Sequence, residues 1–208
     1  MLEEDAARTP EPLDLRSLLP EINGLARKLV VVEPCAGVGC RSLEVMGIDS
    51  ECHTWDLEPG YNALLAHHCH GGGSVHTGRV SGDITRVPIS ALPQECHLLV
   101  SGFPCPPWAG NGCKRGLKDA RARVMESVLS WVVHFAYKRS LMMVLLENVK
   151  GVMHKGEDGV AFFPKMMAAL EKHIPWFRWR IDELQLLKYG IPHDRARVFL
   201  RGMANAFC

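Results

Sequence analysis

Long apolar runs are missing from this 208-residue chain. The longest, Leu141 to Leu146, is strand-sized and falls far short of the roughly 18 residues a membrane span requires. The first residues are acidic, with no basic start and no apolar stretch behind them. A secretory signal is therefore not expected, and an intracellular location is, nuclear if the source cell has a nucleus. Excess charge is also missing: 24 Lys and Arg against 23 Asp and Glu leave a net +1. A protein that grips nucleic acid unaided usually carries a clear basic surplus. Here a grip would have to come from the local cluster Lys114, Arg115, Lys118, Arg121 and Arg123. No two of the eight cysteines form a CxxC pair. That argues against structural zinc, and in an intracellular chain they are expected to be thiols. The run His67-His68-Cys69-His70 before Gly71-Gly72-Gly73 reads as a polar helix end entering a loop, so no metal is expected.

What is present is an alternation of strand and helix patterns. Residues 1–28 carry acids and prolines without periodicity and are expected to be a flexible lead-in. From Leu29 the β-branched run Leu29-Val30-Val31-Val32 marks a buried parallel strand. Further strands are expected at Cys52 to Trp55, Ser74 to Val80, His97 to Ser101, Leu141 to Leu146, from Phe177 and at Val198 to Arg201. Helices are expected around Arg41 to Met46, Tyr61 to His68, 120–138 and Ala161 to His173. In the third, Val124, Val128, Trp131, Val132 and Phe135 recur at steps of three and four. Such alternation predicts an α/β domain over 29–208, a mostly parallel sheet with helices on both faces.

In such a sheet ligands bind beyond the carboxyl ends of the strands, where the unusual residues fall. Gly37 and Gly39, in Glu33-Pro34-Cys35-Ala36-Gly37-Val38-Gly39, allow a sharp turn and close backbone approach. Ser42 stands where a dinucleotide fingerprint has its third glycine, which argues against NAD. Asp56 ends the next strand and is either a ribose-binding acid or a capping residue. Asp83, in Gly82-Asp83-Ile84, could accept a bond from an adenine amino group. Cys105 sits between Pro104 and Pro106 just past a strand, on a stiff loop. Lys114 and Arg115 could help stabilise its thiolate, although a lone cysteine is more often a small buried hydrophobe. Glu147 follows directly on an apolar run, so it is either a costly buried charge or a working acid/base. Arg195 and Arg197 alternate, and on extended backbone they share one face, suited to a phosphate or a base edge.

Taken in order, E-P-C-A-G-V-G-C, D-L-E-P, G-D-I-T, G-F-P-C-P-P-W-A-G-N-G-C-K-R-G-L-K-D-A-R, E-N-V and Y-G-I-P-H-D-R-A-R-V-F resemble the motifs of cytosine-5 DNA methyltransferases over about 29–202. The resemblance implies a three-layer Rossmann-like fold with S-adenosylmethionine as cofactor. Glu33, Cys35, Ala36, Gly37, Gly39, Asp56, Leu57, Asp83, Ile84 and Pro104 would bind that cofactor. It further implies that Cys105 attacks carbon 6 of a cytosine flipped out of DNA. Glu147 would act on ring nitrogen 3, while Arg195 and Arg197 hold the base and its flanking phosphate. Departures are Cys35 for the family's usual phenylalanine, Pro106 for glutamine, Ala109 for serine and His193 for glutamine. The resemblance also leads one to expect a target-recognition region and a closing segment beyond Cys208, from this chain or a separate partner. The same motifs leave two alternatives open, RNA cytosine-5 methylation and a catalytically silent binding module.

Overall fold

The computed structural model describes residues 28–39, 42–68, 72–105, 122–155, 159–190, 192–193 and 195–205. Residues 1–27 of the expected lead-in, the basic residues Lys114 to Arg121, Cys69, His70, Asp194 and the last three residues lie outside them.

Seven strands form one sheet: β1 (Leu29–Pro34), β2 (Ser50–Asp56), β3 (Gly73–Thr77), β4 (Leu98–Ser101), β5 (Met143–Val149), β6 (Phe177–Gln185) and β7 (Ala196–Ala204). Their order across the sheet is β3-β2-β1-β4-β5-β7-β6. The first five run parallel, and β7 lies antiparallel between β5 and β6. Five α-helices appear among the described residues: α1 (Ser42–Val45), α2 (Asn62–His68), α3 (Gly78–Ser81), α4 (Ala122–Tyr137) and α5 (Phe162–His173).

Alternation along the strands explains two cores. Val32, Leu99, Val144, Leu146, Val198 and Leu200 face one way, into a cluster with Val128, Trp131 and Phe135 of α4 and Phe163, Met166 and Leu170 of α5. Leu29, Val31 and Cys52 point to the other face and pack with Ile48, Leu43 and Met46 around α1. Burying one such large side chain contributes roughly 1.5–3 kcal/mol. The α4 stripe, with Val128, Val132 and Phe135 fully buried, therefore fixes that helix on the sheet. This is the three-layer Rossmann-like arrangement that the alternation predicts.

Several boundaries differ from the sequence reading, and those of β3, β5, β6 and β7 have a clear cause. Strand β3 stops at Thr77, because Gly78 turns with φ +79° into α3 and leaves Val80 exposed. Strand β5 carries Glu147, Asn148 and Val149 within it rather than after it, because the antiparallel partner extends the ladder to Val149↔Arg197. Strands β6 and β7 run to nine residues each; the polar alternation Arg178, Arg180, Asp182 conceals an edge strand that an apolar-run criterion cuts short.

The candidate active site at the carboxyl ends of the strands

The β1–β4 junction divides the sheet. β1 stays paired with β2 as far as Pro34↔Trp55, and β4 with β5 as far as Ser101↔Leu146. Between β1 and β4 the paired residues are only Val31↔Leu98 and Val32↔Leu99. Strand order reverses at this junction, with β2 and β3 on one side and β5, β7 and β6 on the other. Beyond the strand ends of such a junction lies the crevice at which these folds receive ligands.

One wall is the turn after β1. Cys35, Gly37 and Gly39 all adopt positive φ, at +61°, +58° and +78°. Glycine does this freely, whereas a non-glycine residue such as Cys35 stores of order 1–3 kcal/mol of strain. A Cβ on Gly39 would press within 3.1 Å of Leu65 and 3.3 Å of His68. The turn is braced from several sides: Ala36 N–H donates to the Trp55 carbonyl, and Asp56 Oδ2 accepts from Gly37 N–H at 2.7 Å. Asp56 Oδ1 accepts from Glu58 N–H at 2.9 Å. His68 Nδ1 lies 2.6 Å from the Val38 carbonyl and donates to it. Glu33 is buried beneath the turn, and Leu57 is exposed at its rim. Desolvation pushes the half-buried Cys35 thiol up to about 12, the Asp56 carboxylate adds to the rise, and a side-chain hydrogen bond with Ser101 offsets part of it.

Asp83 lies beside this wall. Gly82 packs so closely on β2 that a Cβ there would overlap the Asp56 carbonyl, which brings the second and third motifs together. The Asp83 carboxylate is engaged within its own turn, accepting from Thr85 N–H and Oγ1 and from Arg86 Nε. Ile84 is 5% exposed and belongs to the main core.

The opposite wall is the loop leaving β4. Gly102 lies against Glu147, since a Cβ on it would meet Oε2 at 3.3 Å. Phe103 is buried, and its carbonyl accepts from Asn148 Nδ2 at 3.1 Å. Pro104 and Cys105 follow, both half-buried. Arg197, 8% exposed, donates from Nε to Glu147 Oε1 at 2.6 Å and from Nη1 to the Ala196 carbonyl. Arg195, just before β7, is exposed but near enough for its charge to act on Glu147. Burial pushes the Glu147 carboxyl above its usual range, and Arg195 draws it partway back.

Thus the cysteine loop, the acid and both arginines converge on one half of the crevice, and the turn, Asp56 and Asp83 on the other. Sequence reading gave no site role to Ser101, Asn148 and His68, whose contacts join elements distant in the chain. Asn148 had a visible signal, a polar amide directly beside Glu147 in an apolar strand. A separate cleft of about 620 Å³ opens at the far end of the sheet, among Glu95, His97, Arg139 and Trp176, and none of the site residues lines it. Among the described residues no group of His, Cys, Asp and Glu could hold a metal ion, and no helix is long and apolar enough to cross a membrane.

Sheet order and crevice together define a Rossmann-like α/β core. The sequence profile of C-5 cytosine-specific DNA methylases matches residues 74–207, and the chain belongs to that family. It is 25% identical over 180 residues to the type II methyltransferase M.DsaV of Dactylococcopsis salina, covering 86% of this chain and 47% of that protein. With M.NlaX of Neisseria lactamica it shares 29% identity over 136 residues, 65% of this chain and 39% of the relative. The chain thus spans half or less of the length of these relatives. The crystal structure of the S. pombe Dnmt2 methyltransferase superposes with a TM-score of 0.62 at 17% identity, covering 86% of this chain and 50% of that one, a likeness of fold.

Proposed function

We propose that this chain forms the catalytic half of an enzyme that transfers a methyl group from S-adenosylmethionine to carbon 5 of cytosine in DNA. The observation that carries the reading is the packing of the Cys105 loop against Glu147, through Gly102 and through the Asn148–Phe103 bond, with Arg197 paired to the same acid.

The residues present suit that chemistry. The turn from Cys35 to Gly39 exposes backbone beside Asp56, a donor and acceptor set fitted to an adenosyl group with ribose hydroxyls. Glu33, Ala36, Leu57, Asp83, Ile84 and Pro104 complete the proposed cofactor half, and bound S-adenosylmethionine supplies the methyl group there. On the other side, the Cys105 thiolate forms a bond to carbon 6 of the cytosine, while the Glu147 carboxyl donates a hydrogen bond or proton to ring nitrogen 3. Electron density then rises at carbon 5, which accepts the methyl group as S-adenosylhomocysteine leaves. A base takes the carbon-5 proton, the carbon 6–sulfur bond breaks and the Cys105 thiolate returns. Covalent addition divides one difficult step into easier ones. Arg197 holds Glu147 in place, and the exposed Arg195 would meet a base or phosphate.

The DNA target would have to be flipped out of the duplex, at a cost of about a few kcal/mol. With a net charge of +1, these 208 residues have little non-specific grip to offset that cost. The remaining contacts are assigned to a target-recognition portion, which the full-length relatives have room to carry. The catalytic unit is taken to be 29–208.

Trapping on an oligonucleotide containing 5-fluorocytosine tests the reading, because fluorine cannot leave as a proton does and the adduct persists. The wild-type chain, supplied with a recognition portion from a relative, should form an adduct that Cys105→Ala cannot. Equal trapping by both would remove Cys105 from the nucleophile's role, and no trapping by either would favour the silent module.

A further inference from the structure

The two halves of the crevice are joined where the β1–β4 ladder has already ended. The Ser101 hydroxyl donates to the Pro34 carbonyl at 2.7 Å, between residues 67 positions apart in the chain. Ser101 is 1% exposed and Pro34 is buried, so no water competes for this bond. Pro34 has no N–H of its own to extend a ladder, and the side chain substitutes for the missing backbone pairing. The same hydroxyl lies against the Cys35 sulfur.

Each end of this bond leads directly into a wall of the crevice. Pro34 is followed at once by the strained Cys35–Gly39 turn. Ser101 is followed by Gly102 against Glu147, then Phe103 held by Asn148, then Pro104 and Cys105. Three residues therefore separate the bridging Ser101 from Cys105, and the intervening positions have little freedom. Packed elements transmit small shifts because they do not deform continuously.

Resting on the methyl-transfer reading above, we propose that Ser101 is a positioning residue that couples occupancy of the Cys35–Gly39 turn to the placement of Cys105. In this arrangement the nucleophile is brought into register when the cofactor fills the turn, and an empty turn leaves it less well placed.

The experiment measures the alkylation rate of Cys105 by iodoacetamide across pH, resolved by peptide mass spectrometry, with and without saturating S-adenosylhomocysteine. In the wild-type chain the ligand should change that rate by about fivefold or more, the lower end of typical coupling between sites. Ser101→Ala should still bind the ligand while the ratio falls close to one, and Ser101→Thr, which keeps the hydroxyl, should restore it. Hydrogen exchange on the wild type alone should show altered protection at Gly102, Phe103 and Cys105 on ligand addition, independently of whether the alanine variant folds. An unchanged ratio in Ser101→Ala, or no response of Cys105 and its loop in the wild type, would overturn the coupling. Failure of the wild type to bind the ligand would instead overturn the methyl-transfer reading on which it rests.

Discussion

Arg197 Nε and Glu147 Oε1 meet at 2.6 Å across the antiparallel β5–β7 pair, although Glu147 stands opposite Phe199 and Arg197 opposite Val149. The contact is diagonal, on one face of the sheet, a spacing that long side chains can span. It holds a nearly buried guanidinium against a half-exposed carboxylate, and so keeps the acid's position fixed while one carboxylate oxygen, Oε2, lies toward Gly102.

Glu147→Gln should slow methyl transfer by roughly 10²–10⁴-fold, the range for acid/base groups, with cofactor affinity nearly unchanged in calorimetry. Because burial raises the folded-state carboxyl value, the native state holds a proton that the unfolded chain has already lost. Stability from this group is therefore lost as pH rises from the ordinary carboxylate range through the raised value. Melting curves recorded from pH 4 upward should show the wild type losing ground to Glu147→Gln over that window. A gap that widens in the wild type's favour would contradict the sign of the shift.

Asn148→Ala should leave the Phe103 carbonyl buried and unsatisfied, lowering stability by about 1–3 kcal/mol. The loop to Cys105 should loosen with it, so adduct formation with 5-fluorocytosine should slow more than cofactor binding weakens. Asn148→Asp, whose carboxylate cannot donate, should behave no better than alanine. Wild-type trapping by either variant would show that the amide does not hold the loop.

Asp56→Ala should weaken S-adenosylmethionine binding by about 1.5–3 kcal/mol, the range for hydrogen bonds to a charged group. Two effects combine, since the same carboxylate also braces the Gly37 and Glu58 amides. Asp56→Asn keeps an acceptor oxygen and should lose less. Equal affinity for wild type and Asp56→Ala by calorimetry would reduce Asp56 to a turn-capping residue.

Gly82→Ala should lower stability by about 1–3 kcal/mol, the usual cost of overpacking, because the added methyl meets the Asp56 backbone rather than a side chain that could yield. Urea denaturation measures it, and an unchanged midpoint would show that β2 and the Gly82 turn can separate without cost.

Much of the site was legible because its chemistry is local. Gly37 and Gly39 announce a turn by residue type, Cys105 is marked by its prolines, and Glu147 by an apolar run that a carboxylate does not normally end. Less legible were the residues whose meaning is a partner distant in sequence. Ser101 looks like an ordinary strand end until Pro34 is found beside it, and His68 like a frayed helix end until the Val38 carbonyl is placed. Asp83 reads as an acceptor by residue type, and only the fold shows that Thr85 and Arg86 orient its carboxylate.

The sequence by itself determined the alternation of strands and helices, the two-faced burial of β1 and the α4 stripe, since period and side-chain polarity act over a few residues. It also determined which residue types stand at the strand ends. Only the tertiary structure decided that β7 enters antiparallel between β5 and β6, drawing Glu147 into the strand and setting Arg197 diagonally across from it. Only it decided that β1 lies beside β4, so that the buried Ser101 hydroxyl reaches the Pro34 carbonyl and joins the walls. Strand order and register depend on contacts between segments scores of residues apart, and no local period encodes which segments will meet.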